Sequence, residues 1–211
     1  PSRTGLNLIL AKGENNMARI HEVLLRNRCK KYIFTSDISK LYNQLHLTNA
    51  ALPYSMFLYS ETLDPNSAPD IWILIRAWYG VRSTGNQSGA ALDNLAELMK
   101  EDCRYGSEVI QTDRYVDDLL SGSNDVMVRA AQIIQCKELL SKGGFKLKFI
   151  AESGKDPPPE ASSDGESLKI LGYKWFPKAD KLGLGFEEIN FSKRHRGAKK
   201  PNPFPVVSGD D

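Results

Sequence analysis

Between Glu14 and Arg28 the apolar residues Met17, Ile20 and Leu24 recur at three- and four-residue intervals, which predicts a helix. The period then changes. Tyr32 to Asp37 reads Tyr-Ile-Phe-Thr-Ser-Asp, rich in β-branched and aromatic residues, and predicts a strand. Ile38, Leu41 and Leu45 return to helical spacing, so Asp37 stands where a strand gives way to a turn of helix. Tyr54 to Tyr59 and Ile71 to Trp78 are further strands, joined by the turn-rich run Leu63 to Pro69. A second helix is predicted from Ser88 to Asp102 on Ala91, Leu92, Leu95, Leu98 and Met99. A third runs from Asp125 to Lys142, with Asn124 as its cap and Gly143 as the left-handed residue that ends it. Between these two helices, Glu108 to Thr112 begins a strand, and Leu119 to Gly122 continues the apolar character after a polar centre. Phe145 to Ile150 is a strand, Asp156 to Glu166 a loop, and Leu168 to Phe176 with Leu182 to Phe186 a hairpin around Pro177 to Asp180. From Phe191 onward the chain is polar and Pro-rich, as a linker is. Strands and helices are intermixed and several neighbours are joined as hairpins. The expected class is α+β, an antiparallel sheet with helices packed on one face.

Composition narrows little. A chain of 211 residues with 41% hydrophobic and 26% charged residues fits one soluble globular domain. The net charge of +2 does not by itself mark a nucleic-acid binder. Basic residues gather at Arg26, Arg28, Lys30 and Lys31, and again at Lys193, Arg194, Arg196, Lys199 and Lys200. Acidic ones gather at Asp113, Asp117, Asp118 and Asp125; read alone, each run is as well explained by a solvated surface. Cys29, Cys103 and Cys136 are odd in number and show no C-x-x-C spacing, which argues against a disulfide framework or zinc site and for a reducing compartment. His21, His46 and His195 form no motif with them. No apolar run has the length of a membrane span and no signal peptide is evident, so an intracellular protein with no membrane partner is expected.

The sharpest local feature is Tyr115-Val116-Asp117-Asp118, two adjacent carboxylates interrupting an otherwise apolar stretch. A tight hairpin turn there would expose both on one edge; an ordinary Asp-rich turn is the plainer account. Asp37 ends a mostly apolar strand and needs a partner or a cation. Three carboxylates together repel, and at least one holds its proton unless a divalent metal is present. Magnesium prefers oxygen ligands and is commonly shared between carboxylates and substrate phosphates. Two such ions can activate an attacking hydroxyl and stabilise a leaving oxygen, which is the equipment of nucleotidyl transfer.

Five segments then fall in order: Asp37 with Tyr42, Tyr79-Gly80, Tyr115-Val116-Asp117-Asp118, Gly143-Gly144-Phe145-Lys146, and Leu171-Gly172-Tyr173-Lys174-Trp175. Together they resemble the ordered motifs of reverse transcriptases. More narrowly, Thr35 to Tyr42, Tyr79 to Arg82, Tyr115 to Gly122 and Leu171 to Trp175 are similar to the BEL/Pao group of LTR retrotransposons. The resemblance covers roughly Gly5 to Phe191. It implies a reverse-transcriptase palm with partial fingers over residues 1–191, residues 48–78 being fingers-like, and a polar tail over 192–211. It implies an RNA-directed DNA polymerase in which Asp37, Asp117, Asp118 and the Ile38 carbonyl hold two Mg2+ ions, with Mn2+ as an alternative. Lys146, with Lys148 close enough to compete, would protonate the leaving pyrophosphate. Tyr42 would exclude a ribose 2′-hydroxyl, and Tyr79, Gly80 and Tyr115 would contact substrate. Tyr79 stands where the retroviral pattern carries Gln. Leu171, Gly172 and Tyr173 would grip the primer end. The implied partners are a template–primer duplex, deoxynucleotide triphosphates and the rest of a pol polyprotein. Its basic fingers strands are expected upstream of Pro1, and thumb, RNase H and integrase downstream. The implied location is cytoplasmic, within retrotransposon particles. Residues 1–211 alone would then be nearly inactive.

Two other readings stay open. A sheet flanked by helices can bind RNA without catalysis, although clustered carboxylates would repel a phosphate backbone. A two-metal nuclease or phosphatase is the other, and it needs neither a sugar gate nor a primer grip.

Overall fold

The computed structural model describes residues 5–14, 17–62, 67–162 and 164–184. The predicted tail and its basic run lie outside the described residues, as does part of the Leu63 to Pro69 connection.

The chain folds as α+β around a four-stranded antiparallel sheet. A short helix α1 (Leu6–Ile9) and helix α2 (Ile20–Arg28) precede strand β1 (Tyr32–Ile38) and the single-turn helix α3 (Leu41–Gln44). Strands β2 (Met56–Tyr59) and β3 (Asp70–Ile73) form a separate hairpin. Helices α4 (Thr84–Leu98) and α5 (Arg104–Thr112) lead into β4 (Arg114–Tyr115) and β5 (Asp118–Ser123). Helix α6 (Val126–Lys142) and β6 (Leu147–Glu152) follow, then a three-stranded sheet of β7 (Leu168–Ile170), β8 (Tyr173–Phe176) and β9 (Lys181–Leu184). The main sheet has the order β4-β5-β1-β6, so β1 and β5 are its central strands.

Side chains alternate across a strand, and here both faces are sealed. Phe34, Ile38 and Leu119 point toward α4, α5 and α6, where they bury Leu92, Ala96, Val109, Ile110, Cys136 and Leu139. Ile33 and Leu120 point the other way, against Val23 and Leu24 of α2 and Leu168, Ile170 and Trp175 of the small sheet. The expectation of helices on one face is therefore corrected. The second face is covered by α2 and the three-stranded sheet, because β1 and β5 carry apolar residues at both parities.

The predicted strand from Glu108 to Thr112 is instead helix α5. Its buried positions, Gly106, Ser107, Val109 and Ile110, follow Cys103 at helical spacing. Two of them are small rather than apolar, which hid the period. Gly106 is small because α6 lies against it: a Cβ there would come within 2.7 Å of the Gln135 carbonyl carbon. Helix α2 is shorter than predicted, since Met17 is exposed and only Val23, Leu24 and Asn27 are buried. The cap of α6 is Asp125, which accepts from the Met127 amide at 2.7 Å; Asn124 instead accepts from the Lys31 amide. The left-handed residue after α6 is Gly144 (φ +77°), one position later than Gly143. The segment Leu168 to Phe176 is two strands, broken at Leu171-Gly172.

Arg26 and Arg28, expected on a solvated surface, tie the layers together. Arg26 reaches Asp113 and the Thr112 carbonyl. Arg28 donates to Asp180 at 2.6 Å, and the Trp175 indole donates to the same carboxylate at 3.0 Å. The β2–β3 hairpin has no such cover. All eight of its residues are exposed, with Met56, Leu58, Ile71 and Ile73 on one face and Phe57, Tyr59 and Trp72 on the other. Among the described residues no helix is long and apolar enough to cross a membrane.

Trp175 is fully buried between α2, the main sheet and its own hairpin. Trp175→Ala is expected to cost about 3–5 kcal/mol of unfolding free energy in a urea titration. A loss below about 1 kcal/mol would show that the small sheet is not part of the folded unit.

Candidate active site

The site is built where β1 and β5 run out. Asp37, the penultimate residue of β1, is paired directly with Asp118, the first residue of β5. Cβ atoms of directly opposed residues lie about 4.5–5.5 Å apart, and like charges there are destabilising. Asp117 sits beside them in the two-residue connection from β4 to β5, which is closed by the Tyr115–Asp118 pair. Its carbonyl accepts the Ile38 amide at 2.8 Å, which locks the turn to the end of β1.

That turn is strained. Val116 has φ +57° and Asp117 does not have a positive φ, the sign pattern of a type II′ turn. Such turns favour Gly at the first position. A β-branched residue there is an outlier worth of order 1–3 kcal/mol, sustained only where the surroundings over-determine it.

Burial, then the charges of Asp117 and Asp37, push Asp118 up to about 7. Asp37 is raised by burial and by Asp117, with Lys148 opposing. Tyr42 is raised by burial, by Asp117 and by Tyr79. The three carboxylates thus act on one another, and near neutrality Asp118 competes for a proton. Among the described residues, however, no three His, Cys, Asp or Glu side chains form a group able to hold a metal ion as they stand. The expected convergence of three carboxylates is met only as far as the opposed Asp37–Asp118 pair with Asp117 on the adjoining turn. The donor chemistry fits Mg2+, which takes oxygen ligands, keeps waters and is usually bound through one or two carboxylates plus substrate phosphates.

Asp37 and Asp118 open into a cleft of about 960 Å³. Its other wall is the β7–β8 hairpin, through Gly172, Tyr173 and Lys174, and its floor includes Lys148 and Phe149 of β6. Glu160, Ser162 and Asp164 of the preceding loop complete it. Asp164 is held well below the usual carboxylate range by the Ser167 hydroxyl and amide, the Glu166 amide and Lys174. The hairpin turn is Leu171-Gly172, both at positive φ (+46° and +87°), the signs of a type I′ turn. Leu171 packs into the second core rather than lining the cleft.

The remaining predicted residues divide. Tyr42 and Tyr79 meet as a tilted pair with ring centroids 5.0 Å apart and planes at 60°, near Asp117. Gly80 sits at φ +87°, and its carbonyl accepts from Asn7 at 2.7 Å. Tyr115 lies on β4 opposite Asp118. The Ile38 side chain is buried in the core. Both lysines are exposed; Lys148 is the one whose charge acts on Asp37, while the Lys146 carbonyl accepts the Ser39 amide. The residue that sequence reasoning missed is Arg114. A charge opening a strand that leads into an apolar hairpin needs a partner, and that was the available signal.

No protein-family model matches the chain, and no curated protein matches it.

The raised Asp118 predicts a pH dependence. Unfolded, its carboxyl titrates near 3.8; folded, near 7. The folded state therefore binds the extra proton between those values, and stability falls as pH rises through that window. Asp118→Asn is expected to stabilise the protein at pH 8 by about 2 kcal/mol and to leave pH 4 unchanged. This is about half of the roughly 4 kcal/mol that the whole shift corresponds to, because Asp118 keeps some solvent. Urea titrations at pH 4, 6 and 8 measure it, and an equal effect at all three contradicts it.

Proposed function

We propose that this chain is the palm of an RNA-directed DNA polymerase of the reverse-transcriptase type, similar to those of BEL/Pao retrotransposons. One observation carries the reading: the opposed carboxylates Asp37 and Asp118 on the two central strands face a hairpin across one cleft, and a third carboxylate, Asp117, sits on the adjoining strained turn. Such a cleft suits a primer end laid between the carboxylates and the Gly172–Tyr173 turn.

In this reading Asp37, Asp117 and Asp118, with the Ile38 carbonyl, hold two Mg2+ ions, or Mn2+ in their place. Bound there, the ions supply activation of the primer hydroxyl and neutralisation of the phosphates. The protein's own residues orient and select. Gly172 and Tyr173 hold the primer end against the carboxylates. Tyr42, backed by the Tyr79 ring, presents a bulky edge where a ribose 2′-hydroxyl would fall. Lys148, with Lys146 the alternative, delivers a proton to the leaving pyrophosphate. The partners are a template–primer duplex, deoxynucleotide triphosphates and the other parts of a pol polyprotein, in the cytoplasm.

A second reading is a palm-like fold that only binds nucleic acid. Templated extension of oligo(dT) on poly(rA) separates the two. A longer polypeptide carrying residues 1–211 with fingers and thumb segments on either side is expected to extend the primer in Mg2+. Asp117→Asn is expected to reduce that by roughly a thousandfold or more. Near-normal extension by the variant would sink the assignment of Asp117, and no extension by the unsubstituted polypeptide would favour the second reading. Residues 1–211 alone are expected to bind duplex weakly, with steep loss in salt, and to extend little.

Sugar choice supplies a further test. Tyr42→Val is expected to lower the ratio of kcat/KM for deoxy- over ribonucleotide by at least about tenfold, with metal dependence unchanged. An unchanged ratio in a folded variant returns Tyr42 to a packing role.

A further inference from the structure

We propose that Arg114 is the positioning residue of the carboxylate turn, a role that rests on reading Asp117 and Asp118 as metal ligands. The turn needs such a residue. Its first position, Val116, is held at φ +57°, and a conformation of that kind persists only where contacts around it leave no alternative. On one side the contact is the Ile38 amide, bonded to the Asp117 carbonyl. On the other it is the guanidinium of Arg114.

Arg114 begins β4, and its side chain is only 12% exposed. Nη2 donates to Asp93 Oδ1 of α4 at 2.7 Å, and Nε donates to the Ile110 carbonyl of α5 at 3.1 Å. From this anchored position Nη1 reaches the Val116 carbonyl at 3.5 Å, and Nη2 the Gly89 carbonyl at 3.5 Å. The last two contacts are long for hydrogen bonds, so their hold is that of a charge on a carbonyl dipole. A planar fork with five donors can serve two helices and a turn at once; a lysine ammonium cannot.

The carbonyl that Arg114 meets matters. In a two-residue turn, the peptide between the two central residues sets the type. Rotating it converts type II′ to type I′ and drives the second residue to positive φ. That peptide is Val116–Asp117. Turned over, it would carry the Val116 carbonyl away from the guanidinium and rotate Asp117 into the left-handed region, which Asp tolerates. Arg114 opposes the rotation and so fixes where the Asp117 carboxylate points relative to Asp37 and Asp118.

Amide hydrogen exchange by 15N NMR on the chain tests this without reference to activity. In Arg114→Ala the Ile38 amide is expected to exchange about tenfold faster. Adding Val116→Gly is expected to restore its protection, because glycine at that position favours the type II′ turn without strain. Arg114→Lys should fall between. Ile38 protection in Arg114→Ala equal to that of the unsubstituted chain overturns the proposal. So does a double variant no better protected than the single, since a loss of general packing is not repaired by a glycine in the turn. If Arg114→Ala does not fold, Asp93→Asn removes the anchor, and unchanged Ile38 exchange there overturns it equally. Mn2+ binding, followed by electron paramagnetic resonance, tests the underlying reading separately. Arg114→Ala is expected to weaken binding about tenfold and Asp117→Asn to do so further. Equal Mn2+ binding by Asp117→Asn and the unsubstituted chain sinks the carboxylate reading, and the exchange data still judge Arg114. Unweakened Mn2+ binding by Arg114→Ala beside a defective Asp117→Asn overturns the positioning role.

Discussion

The antiparallel register that sets Asp37 against Asp118 is the constraint on which the rest of the molecule depends. A strand slipped by one residue sends every side chain to the opposite face. In the observed register, Phe34 and Leu119 fall to the side of α4, α5 and α6, while Ile33 and Leu120 fall to that of α2 and the small sheet. Gly122 permits it, because a Cβ there would collide with the Tyr32 carbonyl and the Ile33 Cα across the ladder. The cost is two like charges opposite each other at the open end of the pair. Two sealed cores offset that repulsion, and the charge is left where a cation or a proton can meet it.

Much of this was legible in the sequence because it rests on short-range pattern. The strand Tyr32 to Asp37, the paired aspartates at a hairpin turn and helix α6 depend on β-branched and aromatic content, turn chemistry and helical period, and all three emerge close to where they were placed. What was not legible depends on partners distant in sequence. Helix α5 uses Gly106 and Ser107 as core positions, and only the approach of α6 explains why they are small. The second layer over Ile33 and Leu120 draws on both α2 and Leu168, Ile170 and Trp175, which lie far downstream of Ile33. That the charge of Lys148 acts on Asp37 goes with a bulge in the β1–β6 pairing between Ser36 and Ile38, which no periodicity reveals. Arg114 offered only the signal of a charge in need of a partner; its anchors, Gly89, Asp93 and Ile110, lie on two helices that precede it.

Rigidity and strain are distributed unevenly. The cores on either side of β1 and β5 are closed, with Phe34, Leu119, Leu120 and Trp175 excluded from solvent. Of the four non-glycine residues at positive φ among the described residues, Lys40, Val116, Leu171 and Asp180, Val116 adjoins the carboxylates and Leu171 the opposing hairpin turn. Strain at two facing turns is tolerated because the layers beneath them do not yield.

The link from Arg28 to Asp180 joins residues 152 positions apart. Contacts of that separation are slow to form, because most of the chain must be ordered before its ends can meet. On the ribosome, α2 and β1 are made long before β8 and β9. The face of the sheet carrying Ile33 and Leu120 therefore has only α2 to cover it while residues 121–184 are synthesised, and the indole of Trp175 is among the last groups to arrive. A ribosome stalled short of Asp180 would hold a chain whose carboxylates are already paired but whose second face is still wet.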